Sequence, residues 1–210
     1  MILIPPPEIL TLGLTDYSTT WAQMKQFTYQ RTPQTPDQFW CLEHQPVFTQ
    51  GLAGESKHYL KSTDIPLVQT DRGGQITYHG PGQCIIYPLI DLRRHPYGVN
   101  ALVSRIEKAL ILTLQHFHIE AHTDSRSRGV YVQGDKIASI GLRVSKGCSF
   151  HGLALNIKMD LEPFEQINPC GLSDIKATQV YTHNPDIEII EVKRYLLVQL
   201  LSELEYDSIT

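Results

Sequence analysis

Three strands joined by two tight turns can be read in GVYVQGDKIASIGLRVSKGCSFHGLALNI, residues 129–157. The strands are predicted over residues 129–132, 136–144 and 150–157. The turns fall at residues 133–135 and at Lys146-Gly147, because glycine adopts the backbone angles that tight turns need. Successive hairpins pair antiparallel strands. The stretch therefore predicts a sheet that is largely antiparallel or mixed, and it argues against a doubly wound parallel sheet.

Helices are predicted on both sides of these hairpins from the spacing of apolar residues. Asn100 is expected to cap a helix in which apolar residues recur at helical spacing as far as Phe117. Further amphipathic helices are predicted from Asp16 to about residue 30 and from about residue 188 to 204. The predicted fold class is α/β (α+β), with helices packed against a mixed, largely antiparallel sheet.

The remaining strands and loops are shorter. Strands are predicted at residues 9–14, 38–43, 67–70 and 84–90, the last being an apolar run typical of a strand buried on both faces. Loops are predicted at residues 44–51 and 121–128, the second polar and mobile, and residues 52–64 are expected to be exposed. Because no repeat or long linker divides the chain, residues 1–210 are interpreted as a single domain.

Composition narrows the classes of function. The 210 residues carry a formal net charge of -4, which gives no basic field for nucleic acid. No apolar run is long enough for a membrane span, so a soluble, cytoplasmic protein is expected. The four cysteines have no CxxC spacing and are expected to be free thiols. The histidines show no metal-binding spacing, so neither a metal nor another cofactor is predicted.

A glycine-rich segment, RGGQITYHGPGQ, spans Arg72 to Gln83. Its middle, Gln75 to Tyr78, is at most a short strand, because the flanking glycines and proline disfavour regular structure. Two interpretations fit: a solvated hairpin turn, or a loop that binds a ligand. The density of hydrogen-bonding and aromatic side chains favours the binding loop.

Cys170 is the candidate nucleophile. It lies between Pro169 and Gly171, on a predicted bend where a thiol is exposed and backbone N–H groups are available for an oxyanion. Cys41 and Cys84 are expected to be small buried residues, and Cys148 is expected to be a strand-edge residue without a role.

Lys136 opens an apolar strand, where partial desolvation of its ammonium group is expected. The alternative is a solvent-exposed lysine at a hairpin end. Beside a cysteine, an ammonium group would favour the thiolate, and the neutral amine would accept a proton. His79 and His151 remain alternative bases, because Cys–His pairs are the commoner nucleophile arrangement.

Taken together, these residues closely resemble the lipoate-pathway octanoyltransferases. The resemblance covers most of the chain and fades before residue 38 and after about residue 175. Its motifs are HQPVFTQG (44–51), RGGQITYHGPGQ (72–83), GVYV (129–132), KIASIG (136–141), FHGLALN (150–156) and INPCG (167–171).

The resemblance implies the catalytic-domain fold of biotin and lipoate protein ligases. It implies transfer of an octanoyl group from octanoyl-acyl carrier protein to a lysine of a lipoyl domain, as found in 2-oxoacid dehydrogenases and in the glycine cleavage H protein. Cys170 would carry the acyl group as a thioester, and Lys136 would lower the pKa of its thiol. The implied acyl pocket consists of Arg72, Gly73, Gly74, Gln75, Ile76, Thr77, Tyr78, His79, Ser139, Ile140, Gly141, Gly152, Leu153 and Ala154.

Other functions fit parts of this pattern. An ATP-dependent lipoate or octanoate ligase would share the glycine-rich loop and the lysine without needing Cys170. A lipoyl amidotransferase would differ in its donor, and a non-catalytic acyl-carrier-binding module would bind without turnover. A cysteine hydrolase fits less well, because acyl transfer requires that water be kept out.

Overall fold

A seven-stranded mixed sheet forms the centre of the fold in the computed structural model, which describes residues 6–60, 63–168 and 175–206. Its strands, in spatial order, are β1 (Glu8–Thr15), β2 (Gln38–His44), β6 (Gln83–Leu89), β10 (Cys148–Asn156), β9 (Asp135–Ser145), β8 (Ser127–Val132) and β7 (His122–Asp124). β1 and β2 run parallel, and the other neighbouring pairs are antiparallel. The predicted mixed, largely antiparallel sheet and the hairpins of residues 129–157 are therefore confirmed.

Helices cover both faces of this sheet: α1 (Tyr17–Gln30) on one face, and α2 (Val99–His116) and α4 (Ile189–Glu203) on the other, with a single turn, α3 (Val180–His183), before α4. The Asp16 carboxylate accepts a hydrogen bond from the Thr19 backbone N–H at 2.8 Å, so the predicted cap of α1 is confirmed. The predicted cap at Asn100 is wrong, because α2 already begins at Val99 after Gly98. No helix among the described residues is long and apolar enough to cross a bilayer.

The main core lies between the sheet and the pair α2 and α4. On α2, Leu102, Ile106, Leu110 and Leu114 recur every four residues and are completely buried. Each such side chain contributes roughly 1.5–3 kcal/mol of hydrophobic stabilisation. The strand predicted to be buried on both faces is β6, and all seven of its residues are buried.

A second, three-stranded sheet stands beside the main one. It consists of β4 (Leu67–Gln69), β3 (Val47–Gln50) and β5 (Ile76–His79), with β3 in the middle, parallel to β4 and antiparallel to β5. The loop predicted at residues 44–51 is therefore wrong. Flanking Pro46 and Gly51 suggested a loop, but all four residues of β3 are buried, and their tertiary pairing outweighs that local signal.

A second predicted loop and the segment at 52–64, most of whose described residues are exposed as expected, also contain regular structure. The segment at 121–128, expected to be mobile, contains β7 and the start of β8, which pair with each other. Residues 52–64 were expected to be exposed, but a 3-10 helix at Ser56–His58 buries His58. The His58 carbonyl accepts a hydrogen bond from the Asn168 N–H at 2.9 Å. Further 3-10 helices lie at Leu92–Arg94 and Glu162–Gln166.

Candidate active site

A cavity of about 420 Å³ lies where the two sheets meet. Small-molecule sites typically have volumes of roughly 300–1,000 Å³. Lys136 and all but one of the pocket residues that the resemblance implies line this cavity, although they come from segments far apart in the sequence. These pocket residues are 72–77, His79, 139–141 and 152–154.

Tyr78 is the exception and lies away from the cavity. Successive side chains of a strand point to opposite faces, so Thr77 and His79 of β5 share one face while Tyr78 points to the other. There the Tyr78 ring packs between Phe48 and Phe164, with ring centroids 5.5 Å from each. The prediction that Tyr78 lines the pocket is therefore wrong, because Tyr78 belongs to the small core beneath the second sheet.

The glycine-rich segment is held in place by the strands beside it. The Gly73 N–H donates to the carbonyl of Leu142 in β9 at 3.0 Å, and the Leu52 N–H donates to the Arg72 carbonyl at 3.0 Å. The Arg72 guanidinium is buried and donates to Thr49 Oγ1 from Nη2 at 2.8 Å. The segment is thus an ordered wall of the cavity, not a solvated turn.

Lys136 is buried, with only 4% of its surface exposed, and it lines the cavity. Nζ donates to the Arg128 carbonyl at 2.7 Å, to Ser127 Oγ at 3.2 Å and to the Tyr131 hydroxyl at 3.2 Å. The desolvation predicted from the apolar strand is thus found, and a solvent-exposed hairpin-end lysine is excluded.

The backbone of Lys136 pairs with the segment that follows the candidate nucleophile. The Lys136 N–H donates to the Lys176 carbonyl at 2.8 Å, and the Thr178 N–H donates back to the Lys136 carbonyl at 2.9 Å. Cys170 itself lies outside the described residues. Its separation from Lys136 is therefore not established, and the dyad stays a prediction.

A buried hydrogen-bond network joins the two walls of the cavity. Because Arg72 only donates, Thr49 Oγ1 accepts from the guanidinium and gives its own hydrogen to His79 Nε2, 3.2 Å away. His79 Nδ1–H then donates to Gln83 Oε1 at 2.7 Å. The network continues from the Gln83 amide to Asn156 Oδ1 at 2.9 Å, and from the Asn156 amide to the Thr178 carbonyl at 2.9 Å. It thus connects the glycine-rich segment to the strand partner of Lys136.

His79 is a poor candidate for the base. Burial, followed by the neighbouring His44, lowers the pKa of His79 to about 3. Both of its ring nitrogens are within hydrogen-bonding distance of protein side chains. We infer a supporting role in the cavity wall.

His151 is held differently. Its Nε2 lies 2.9 Å from Asp71 Oδ1, which also accepts from Trp21 Nε1 at 2.8 Å. Burial lowers the pKa of His151 despite the adjacent carboxylate, so the neutral ring donates from Nε2 to Asp71. Its backbone has a φ of 59°, which is unusual for a residue with a side chain. His151 lines the cavity, but Asp71 orients its ring.

Several cavity residues were not found from the sequence. Tyr17 and Tyr87 reach the cavity from α1 and β6, and Val99, Asn100 and Val103 reach it from the start of α2. Three consecutive polar residues, Arg126, Ser127 and Arg128, form a further part of the wall. The four-residue spacing of Val99 and Val103 indicates one helix face, but no local pattern indicates that this face borders a cavity.

The three described cysteines are free thiols. Burial raises the pKa of Cys41 to about 11 and that of Cys84 to about 12, so neither forms a thiolate easily. Cys148 is buried at the start of β10, and burial raises its pKa as well. Within the described ranges, no three His, Cys, Asp or Glu side chains are grouped as potential metal ligands.

Comparison with known proteins identifies the family of this chain. A family model described as the lipoyl protein ligase A/B catalytic domain matches residues 16–201. A protein named Octanoyltransferase from Cellvibrio japonicus (strain Ueda107) is 51% identical over 211 residues, covering 100% of this chain and 98% of the relative.

Two solved structures share the fold at low sequence identity. A bi-partite lipoate protein ligase from Thermoplasma acidophilum superposes with a TM-score of 0.76 at 16% identity, over 98% of this chain and 88% of the other. Biotin protein ligase from Aquifex aeolicus gives 0.57 at 13% identity, over 94% and 68%. The catalytic-domain fold of biotin and lipoate ligases is thereby confirmed. The chain belongs to the lipoyl protein ligase A/B catalytic-domain family and, within it, to the octanoyltransferases, and it is an acyltransferase enzyme.

Proposed function

We propose that this chain transfers the octanoyl group of octanoyl-acyl carrier protein to the ε-amine of a lysine on a lipoyl domain, through a thioester on Cys170. Lipoyl domains of 2-oxoacid dehydrogenases and the glycine cleavage H protein are the proposed acceptors. The Thermoplasma ligase of the same fold has been analysed structurally together with its E2 lipoyl domain, which supports this class of acceptor. Residues 1–210 would act as one catalytic domain in the cytoplasm, where free thiols stay reduced.

The observation that carries the proposal is the position of Lys136. Lys136 lines a 420 Å³ cavity, its ammonium group donates to Ser127 and Arg128 of the same wall, and its backbone pairs with Lys176, six residues beyond Cys170. The cavity wall combines apolar residues, among them Ile76, Ile140 and Leu153, with a few polar ones, which suits a hydrocarbon chain that ends in one reactive carbonyl group.

In the first half-reaction, the Cys170 thiolate attacks the thioester carbonyl carbon of the donor. The resulting oxyanion collapses as the bond from carbon to the carrier sulfur breaks. The Lys136 ammonium favours the attacking thiolate, and it then donates a proton to the departing thiolate. Backbone N–H groups are the expected donors to the oxyanion.

In the second half-reaction, the ε-amine of the acceptor lysine attacks the acyl-cysteine. The bond from carbon to the Cys170 sulfur breaks, and neutral Lys136 accepts the proton that the new amide nitrogen gives up. Exchange between thioesters is close to energetic balance, and conversion of a thioester to an amide is favourable. The sequence of steps therefore proceeds without ATP or another cofactor.

Intact-protein mass spectrometry after incubation with octanoyl-acyl carrier protein tests the nucleophile. The wild type and the control Cys148→Ala, which lacks a buried thiol of β10, are expected to gain one octanoyl group, and Cys170→Ala none. An adduct of equal yield on Cys170→Ala would overturn the proposal.

A second pair of variants tests the lysine. Lys136→Met keeps the length and apolar contacts of the side chain, and we expect it to slow adduct formation by roughly a hundredfold or more, the usual range for a lost acid–base group. The matched control is Lys57→Met, because the Lys57 side chain is exposed. Equal rates for the two variants would exclude Lys136 from the chemistry.

Other donors distinguish the alternatives. If Cys170→Ser retained full transfer with free octanoate and ATP, the chain would be a ligase. A preference for lipoyl groups already attached to protein would indicate an amidotransferase. Partner binding without turnover on any donor would indicate a carrier-binding module.

A further inference from the structure

We propose that Glu107 is a positioning residue for the transfer reaction, acting on Lys136 through the peptide group between Arg128 and Gly129. This inference rests on the proposed function, in which Lys136 handles the proton. Glu107 lies on α2 and does not line the cavity, so it would act indirectly, without contacting the reacting atoms.

One peptide group joins the two side chains. The Gly129 N–H donates to Glu107 Oε1 at 3.2 Å, and the Arg128 carbonyl of the same peptide accepts from Lys136 Nζ at 2.7 Å. A carboxylate on the N–H side polarises the peptide, which places more negative charge on the carbonyl oxygen. The carbonyl then binds the ammonium form of Lys136 more strongly than an unpolarised carbonyl would.

Burial makes this arrangement effective. Glu107 is 5% exposed and Lys136 is 4% exposed, so water screens neither charge well. The Arg128 guanidinium lies 3.5 Å from Glu107 Oε2 with a largely exposed side chain, and it offsets only part of the carboxylate charge.

Gly129 allows the ammonium group to approach the peptide. Its φ is 132°, and an added Cβ would lie 2.4 Å from the Ala138 carbonyl and 2.8 Å from Lys136 Cε. A side chain at position 129 would therefore displace the lysine from the peptide that Glu107 holds. Three features meet at one point: a glycine, a buried carboxylate and the lysine.

Other charged or titratable groups also face Lys136. The Tyr131 hydroxyl contacts Nζ from β8, Arg126 and Arg128 line the same cavity, and Lys176 lies on the neighbouring segment. Of the groups named here, all in the described part of the chain, Glu107 is the one with a carboxyl group.

The test is the pH dependence of octanoyl-adduct formation on Cys170, measured by single-turnover mass spectrometry at saturating octanoyl-acyl carrier protein. Glu107→Gln keeps the volume and the acceptor oxygen but loses the charge. We expect a maximal rate roughly five- to tenfold lower, since an ionised acceptor binds more strongly than a neutral one. The alkaline limb of the profile should move to lower pH, and the donor concentration at half-maximal rate should stay unchanged.

A purely structural role gives a different result. It would lower the melting temperature and the active fraction but leave the alkaline limb in place, and that outcome would overturn the inference. Glu107→Asp retains the charge and should keep the wild-type limb; a shifted limb in this variant would also count against the proposal. If Glu107→Gln does not fold, Glu107→Asp alone is measured, and an alkaline limb displaced from the wild-type pH in this charge-retaining variant would overturn the inference.

The control variant is Glu120→Gln, which removes an exposed carboxylate just beyond α2. Its profile should match the wild type. Failure of this inference is distinguishable from failure of the proposed function: in the first case Cys170→Ala forms no adduct while Glu107→Gln behaves like the wild type, and in the second Cys170→Ala still forms the adduct.

Discussion

Acidification from pH 7 to pH 5 should destabilise the fold through His44 and His79, two neighbouring buried histidines. Their ring centroids are 5.9 Å apart. Burial is the main cause that lowers the pKa of His44 from 6.5 to about 4 and that of His79 from 6.5 to about 3. Both rings are therefore neutral in the folded protein at pH 5, whereas both are largely protonated in the unfolded chain.

The sign and size of the effect follow from proton linkage. Because the unfolded chain binds more protons, the free energy of unfolding falls as pH falls below 6.5, until the folded pKa values are reached. Each histidine contributes a slope of up to about 1.4 kcal/mol per pH unit in that window, which gives roughly 4 kcal/mol for the pair between pH 7 and pH 5. This is a large share of the roughly 5–15 kcal/mol typical of a domain. The pKa of Asp37 is lowered by its hydrogen bonds in spite of burial, so protonation of Asp37 changes the free energy of unfolding only below about pH 4.

Urea unfolding followed by circular dichroism at pH 7, 6 and 5 measures this slope. His79→Gln should reduce it by about 1.4 kcal/mol per pH unit between pH 6 and pH 5, whatever its effect on stability at pH 7. The control is His122→Gln, because His122 is exposed, and its slope should match the wild type. A wild-type free energy of unfolding that stays constant between pH 7 and pH 5 would refute the reasoning, as would an unchanged slope in His79→Gln.

Three substitutions test the packing around the site. Asp37→Asn removes the carboxylate that pairs with Arg31 and Arg94 and leaves Arg94 only its longer pair with Asp91, so we expect thermal or urea unfolding to show a loss of roughly 3 kcal/mol. In Gly152→Ala the new Cβ would lie 2.2 Å from a carbonyl of β6, so chemical denaturation should show a loss of roughly 2–3 kcal/mol, whereas Gly98→Ala, with open space around it, should be tolerated. Gly129→Ala should reduce steady-state octanoyl transfer by about a hundredfold, because it displaces Lys136.

The sequence identifies the chemically active residues of the site better than it identifies the residues that form the cavity wall. Lys136 and the glycine-rich segment were found because their residue types are unusual for a solvated turn or an apolar strand. Val103 lies in the helix that was predicted to begin at Asn100. Its apolar character fits a core and a cavity wall equally well, so the sequence did not identify it as a cavity residue. Which of the two applies depends on how α2 is placed against β9 and β10, and that is a tertiary property.

Local signals also misled where pairing decides the structure. Residues 47–50 lie between a proline and a glycine, and they form a strand because β4 and β5 supply partners on both sides. Tyr78 shares a motif with cavity residues, yet the two-residue period of β5 directs its ring into the opposite core. In both places a motif identified the segment correctly, and the geometry of the sheet determined the role of each side chain.

The buried network gives one reason why stability and site geometry depend on the same group. Thr49 Oγ1 accepts from Arg72 and donates to the neutral His79 ring, so a proton added at His79 Nε2 would face an oxygen that already accepts from a guanidinium. The proton that destabilises the fold would thus also break the hydrogen bond between Thr49 and His79, which joins Arg72 to the part of the network that runs to Thr178. Because Thr178 pairs with Lys136, loss of that link would act on the lysine wall of the cavity. Acidification is therefore expected to weaken this connection between the two walls together with the fold.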